Sequence, residues 1–190
     1  VQDYIASVKR QTREVFVPLA HDPGHAQADF GEVDAVIGGV QRRLYFFCLD
    51  LPHSDACFVK AYEAATAEAW MDGHVAAFEF FGGVPLSMLY DNDRCLVSKI
   101  LDDGTRLRSK LLTGCQSHYL FHDKYGRPGK GNDKGSVEVL VGYSRRNFMV
   151  PMPTYASLAD FNAHLEQCCL KRQEDTLRGH KVSIGERMLV

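Results

Sequence analysis

HAQADFGEVDAVI (residues 25–37), Gly38-Gly39 and VQRRLYFFCLDL (residues 40–51) decide the fold. The first stretch alternates between two kinds of residue. Gln27, Asp29 and Gly31 fall on one face, and Ala28, Phe30 and Glu32 on the other, as a strand with two different surroundings requires. Two consecutive glycines supply the positive-φ positions of a tight hairpin turn. The second stretch carries an unbroken apolar run from Leu44 to Leu49, bounded by charge. After a short turn at Pro52-His53-Ser54, DACFVKAYEA (55–64) reads as a third strand. The three make an antiparallel meander.

Downstream the pattern changes period. Thr66 opens a helix with Glu68 in its first turn, and Gly82-Gly83 ends it. Its apolar positions are read as Ala69, Trp70, Val75, Ala76, Phe78 and Phe80. VPLSMLY (84–90) is short and apolar, the pattern of a buried parallel strand. LVSKILDDGTRLR (96–108) suits a hairpin turning at Asp102-Asp103-Gly104. SKLLTGCQSHYL (109–120) reads as a helix, FHDKYGRP (121–128) as a short strand, and GRPGKGNDKG (126–135) as a basic, glycine-rich loop. SVEVLVGYSRRNFMV (136–150) is a helix broken by Pro151 and Pro153. Ser157 caps a last helix to about Glu174, with Asp160 placed for a capping box. Three antiparallel strands followed by α/β units predict an α/β fold with a mixed five-stranded sheet flanked by helices. Residues 1–14 suit an amphipathic helix, and 1–20 read as a connector, 21–155 as the core, and 156–190 as a C-terminal helix leading into a linker. The chain reads as an internal piece of a longer protein.

Composition narrows the class. Of 190 residues 45% are apolar and 24% charged, as in globular proteins. No apolar run approaches the ~20 residues of a membrane span, and the first residues do not have the pattern of a secretory signal. Six scattered cysteines without such a signal suit a reduced, cytoplasmic protein. The net charge of −2 conceals a basic stretch: Arg94 to Arg146 holds 11 Lys/Arg against 5 Asp/Glu, a net of +6. A basic stretch beside acidic clusters suits a polyanionic partner. Cys115, His118 and His122 have part of a zinc spacing, but structural zinc takes four ligands, so they are read as an ordinary helix.

Three acids stand out. Asp29 lies within a strand, where aspartate is disfavoured. Asp91 ends the buried parallel strand, at the end of an α/β sheet where ligands bind. Glu138 opens a helix after the basic loop. Together they have the composition of a two-metal phosphoryl-transfer site.

The motifs QADFG (27–31), YDN (90–92) and GNDKGSVE (131–138) make the chain resemble the catalytic domain of DDE transposases and retroviral integrases. More narrowly, it resembles the IstA-type transposases of bacterial insertion sequences. The resemblance spans about residues 21–150. The 47 residues from Asp91 to Glu138 exceed the interval typical of integrases, with the extra length near Asp102–Arg108. The resemblance implies a ribonuclease-H-like fold and catalytic, metal-binding roles for Asp29, Asp91 and Glu138. Two Mg²⁺ ions are expected, with Mn²⁺ as substitute, because carboxylate and phosphate oxygens suit hard cations. Asn92, Lys130, Lys134, Arg145 and Arg146 are the expected DNA contacts. The implied activity is DNA cleavage and strand transfer on transposon ends and target, by a homo-oligomer helped by an AAA+ ATPase in a bacterial cytoplasm. A catalytically inactive module binding DNA or a protein is the alternative.

Overall fold

The computed structural model describes residues 22–126 and 135–189. The expected helix at 1–14 and the basic loop with Lys130 and Lys134 lie outside them. The described elements are β1 (His25–Ile37), β2 (Val40–Leu51), β3 (Ala56–Tyr62), α1 (Ala67–Phe81), β4 (Ser87–Tyr90), β5 (Val97–Ile100), β6 (Arg106–Arg108), α2 (Lys110–Tyr119), β7 (His122–Tyr125), α3 (Gly135–Asn147), β8 (Thr154–Tyr155), α4 (Leu158–Gln173) and α5 (Ile184–Met188).

The meander forms as expected. Gly38 and Gly39 both take positive φ, at 59° and 79°, and β1 pairs with β2 without a break from Ile37↔Val40 to Gln27↔Asp50. The strand order is β3-β2-β1-β4-β7, with β4 and β7 parallel to β1. The five expected strands thus make one mixed sheet. A sixth, the two-residue β8, joins the far end of β1 at Val36 and Ile37. No periodicity marks so short a strand; Val36 simply donates its N–H to the Pro153 carbonyl.

Strand alternation sorts the core into two layers. Ala26, Ala28, Phe47, Met88 and Tyr90 face α1 and α2 with Trp70 and Leu112. Val33, Ala35, Phe46 and Cys48 face α3 and α4 with Val137, Leu140, Phe161 and Leu165. Gly31 lies on the second face beneath the Phe46 ring. A Cβ there would stand 2.3 Å from Phe46 Cζ, so only glycine permits this packing.

Thr66 caps α1 through the Ala69 N–H, and Gly82 closes it at φ 69°. The buried stripe differs from expectation. Gly73, His74 and Ala77 enter the core beside Ala69, Trp70 and Phe78, while Val75 and Ala76 are half-buried. Where the helix crosses the sheet selects the stripe, and hydropathy alone misplaces it. His74 is tolerated because both ring nitrogens are used: Nδ1 donates to the Trp70 carbonyl (2.6 Å) and Nε2 accepts from the Tyr90 hydroxyl (2.7 Å). At α4, Ser157 caps the Asp160 N–H, but the Asp160 carboxylate accepts from the Ser157 hydroxyl (2.7 Å). The reciprocal box occurs at α5, between Ser183 and Glu186.

Candidate functional site

Asp29 lies on β1, and Asp91 directly follows the end of β4, the parallel neighbour of β1. The β1–β4 register runs from His25↔Ser87 to Gln27↔Leu89. The ladder stops there: β4 ends at Tyr90, so Asp91 follows one residue beyond the strand, while β1 runs on through Asp29. Met88 and Tyr90 face α1, so alternation turns Leu89 toward the α3 face, the face of Gln27 and Asp29. Each aspartate accepts the next backbone N–H: Phe30 N to Asp29 Oδ1 at 2.9 Å, and Asn92 N to Asp91 Oδ1 at 2.7 Å.

Glu138 stands on the first turn of α3, with its side chain exposed. That turn is docked on β1. The Val137 side chain is buried, and its N–H donates to Oε1 of Gln27 at 3.3 Å. Gln27 is 4% exposed, two residues before Asp29. The first N–H groups of a helix lack intrahelical partners, so the Gln27 amide satisfies one while fixing α3 against the strand. The first turn of α3, which carries Glu138, is therefore tied to β1 close to Asp29, and Asp91 leaves the end of the strand next to β1. Their carboxylates do not close into a ligand set: among the described residues no three acids, histidines or cysteines are placed to hold a cation. The donor chemistry, three carboxylates, fits a hard divalent cation.

Sequence reading missed the residues that brace this end. In the hairpin β5–β6, Arg106 and Arg108 project to one side of β6 as i and i+2. Arg108 forms a two-pronged pair with Asp123 of β7, both contacts 2.7 Å. Partial burial alone would raise the Asp123 carboxyl, but the Arg108 fork, with Gln116 and Tyr125, holds it down at about 2. Arg106 reaches the loop after Asp91, donating from Nε to Asn92 Oδ1 at 3.0 Å and from Nη2 to the Gly126 carbonyl at 3.1 Å. The Asn92 amide, expected to meet DNA, is thus engaged within the molecule. Of the other expected DNA contacts, Arg145 and Arg146 are exposed near the end of α3. Arg145 donates to the Glu32 carbonyl at 3.1 Å and lies 6.0 Å from the centre of the Phe46 ring. Cys115 and His118 lie on α2 and His122 on β7, without a metal-ligand cluster among the described residues.

The chain is 38% identical over 158 residues to a transposase of Aminobacter aminovorans, covering 83% of this chain and 31% of that protein. It is 36% identical over 155 residues to the transposase for insertion sequences IS1326/IS1353 of Pseudomonas aeruginosa, covering 81% and 31%. With the transposase for IS21 from the same species, it shares 32% identity over 141 residues, 74% of this chain and 36% of that one.

The chain is a DDE transposase domain.

It spans about a third of the length of these relatives. No protein-family model matches it. The fold of this transposase domain is that of the catalytic core domain of HTLV-2 integrase, solved in complex with magnesium. The two superpose with a TM-score of 0.58 at 14% identity, over 87% of this chain and 97% of that one. A chain of the simian T-cell lymphotropic virus intasome matches with a TM-score of 0.63 at 13% identity, over 94% of this chain and 61% of that one. The mixed sheet flanked by helices is therefore ribonuclease-H-like. Among the described residues of the transposase domain, no helix is long and apolar enough to cross a membrane.

Proposed function

We propose that this transposase domain performs Mg²⁺-dependent DNA strand cleavage and strand transfer, with Asp29, Asp91 and Glu138 as the catalytic carboxylates. The carrying observation is the parallel pairing of β1 with β4, whose last pair, Gln27↔Leu89, lies two residues before Asp29 on one chain segment and Asp91 on the other. Docking of the Glu138 turn through Gln27 supports it. Both aspartates and the glutamate would hold two divalent ions, Mg²⁺ or in substitution Mn²⁺. When bound, such ions polarise phosphate oxygens and activate an oxygen nucleophile. The protein's own part is positional. β1 carries one carboxylate, the chain leaving β4 carries the second, and α3, docked on β1 through Gln27, carries the third.

The substrates on this reading are transposon ends and target DNA. Lys130, Lys134, Arg145 and Arg146 contribute phosphate contacts, which orient a strand without reading its sequence. Paired DNA ends call for a second copy of the chain. An AAA+ ATPase helper and a bacterial cytoplasmic setting complete the proposal. The test supplies a 3′-hydroxyl donor oligonucleotide and a plasmid target. Joined product requires strand transfer, whereas a nuclease only cuts.

A further inference from the structure

We propose that Arg106 is a positioning residue for Asp91, and that the β5–β6 hairpin braces the site through it. This inference rests on the reading of Asp91 as a catalytic carboxylate.

Asp91 needs such a brace because its strand stops short of it. The last β4–β7 pair is Tyr90↔Tyr125, and Gly126 N donates to the Tyr90 carbonyl at 3.0 Å. Among the described residues no strand pairing reaches Asp91 or Asn92. Arg106 fills the gap with all three guanidinium nitrogens: Nε to Asn92 Oδ1 (3.0 Å), Nη1 to the Gly104 carbonyl (2.8 Å) and Nη2 to the Gly126 carbonyl (3.1 Å). The guanidinium also lies 5.7 Å from the centre of the Tyr125 ring. Asn92 Nδ2 donates to the same Gly126 carbonyl at 3.5 Å. The chain of contacts then reaches the acid, since the Asn92 N–H is held by Asp91 Oδ1 at 2.7 Å.

The hairpin can bear this load because its base is fixed. Leu96 and Val97 are buried, Ser109 N donates to the Leu96 carbonyl at 2.8 Å, and Arg108 grips Asp123. A planar fork reaches three separate acceptors; a lysine ammonium, a point charge on a flexible stem, does not reproduce that geometry. With every guanidinium nitrogen already donating, Arg106 is better suited to hold the loop than to grip a phosphate.

The test compares wild type, Arg106→Ala, Arg106→Lys, Asn92→Ala and Asp91→Asn as purified protein. Strand transfer is measured against Mg²⁺ concentration, DNA affinity against salt, and Tm with and without Mg²⁺. Positioning partners of metal ligands typically cost about 10–100-fold in metal affinity or activity when removed. Arg106→Ala and Arg106→Lys should both lose activity on that scale and need more Mg²⁺ for half-saturation. Both should show a smaller Mg²⁺-induced rise in Tm, and DNA affinity and its salt slope should stay at wild-type values. Arg106→Lys with wild-type activity would overturn the inference. So would a salt slope in Arg106→Ala lowered by about 0.9, the mark of one lost phosphate contact. If Arg106→Ala fails to fold, Arg106→Lys and Asn92→Ala carry the same comparison. Full activity in Asp91→Asn would instead overturn the underlying assignment, whatever Arg106 does.

Discussion

The backbone N–H of Val137 donates to the side-chain oxygen of Gln27 across 3.3 Å, tying the first turn of α3 to β1 two residues before Asp29. One buried amide thereby sets where Glu138 stands relative to Asp29. Gln27→Leu keeps the volume and removes the acceptor. An orphaned buried N–H costs about 1–3 kcal/mol. Thermal denaturation should show a loss of that size, and strand transfer should fall further than DNA binding. An unchanged Tm would mean that α3 is held without Gln27.

Gly31→Ala places a Cβ 2.3 Å from the Phe46 ring, and Phe46 is fully buried. Overpacking of a filled core costs about 1–3 kcal/mol. At about 2–4 °C per kcal/mol for a chain of this size, the fall in Tm is measurable by calorimetry. Phe46→Leu should relieve part of it in the double variant, because it frees the space the methyl needs. A double variant no more stable than Gly31→Ala would place the strain elsewhere.

Two buried groups give the fold opposing responses to pH. Burial lowers His74 to about 4 from its usual 6.5. Between those values the unfolded chain takes a proton that the folded one refuses, so stability falls as pH drops, by on the order of 3 kcal/mol over the window. Burial, with Asp55 nearby, raises Asp50 to about 7 from 3.8. There the folded chain keeps a proton that the unfolded one releases, so stability falls as pH rises over nearly the same range. The two slopes oppose each other in the wild type. Asp50→Asn removes one, and its Tm should then decline from pH 7 to pH 4 more steeply than the wild type's. Parallel profiles would contradict this balance.

What could be read in the sequence was local. The alternation of 25–37, the glycine pair, the Thr66 cap and the apolar 84–90 run each act within a few residues, and all appear where expected. The three acids proposed as the site stand out for the same reason, since each terminates or interrupts a local pattern. What braces them does not. Gln27 looks like an ordinary polar strand residue until α3 lies over it. Arg106 reads as part of a basic stretch until the hairpin folds back on Asn92 and Gly126. His74 belongs to the core only because Trp70 and Tyr90 take both its nitrogens. These roles depend on partners distant in the chain, which no window of sequence contains.

The central claim is that Asp29, Asp91 and Glu138 act together on DNA. Its most direct test joins a 3′-hydroxyl donor oligonucleotide to a plasmid in Mg²⁺, with Asp91→Asn and Glu138→Gln beside the wild type and DNA affinity measured in parallel. The wild type should form joined product, and both variants should lose it while binding DNA within a few-fold of wild type. Joined product at the wild-type level from either variant would contradict that claim.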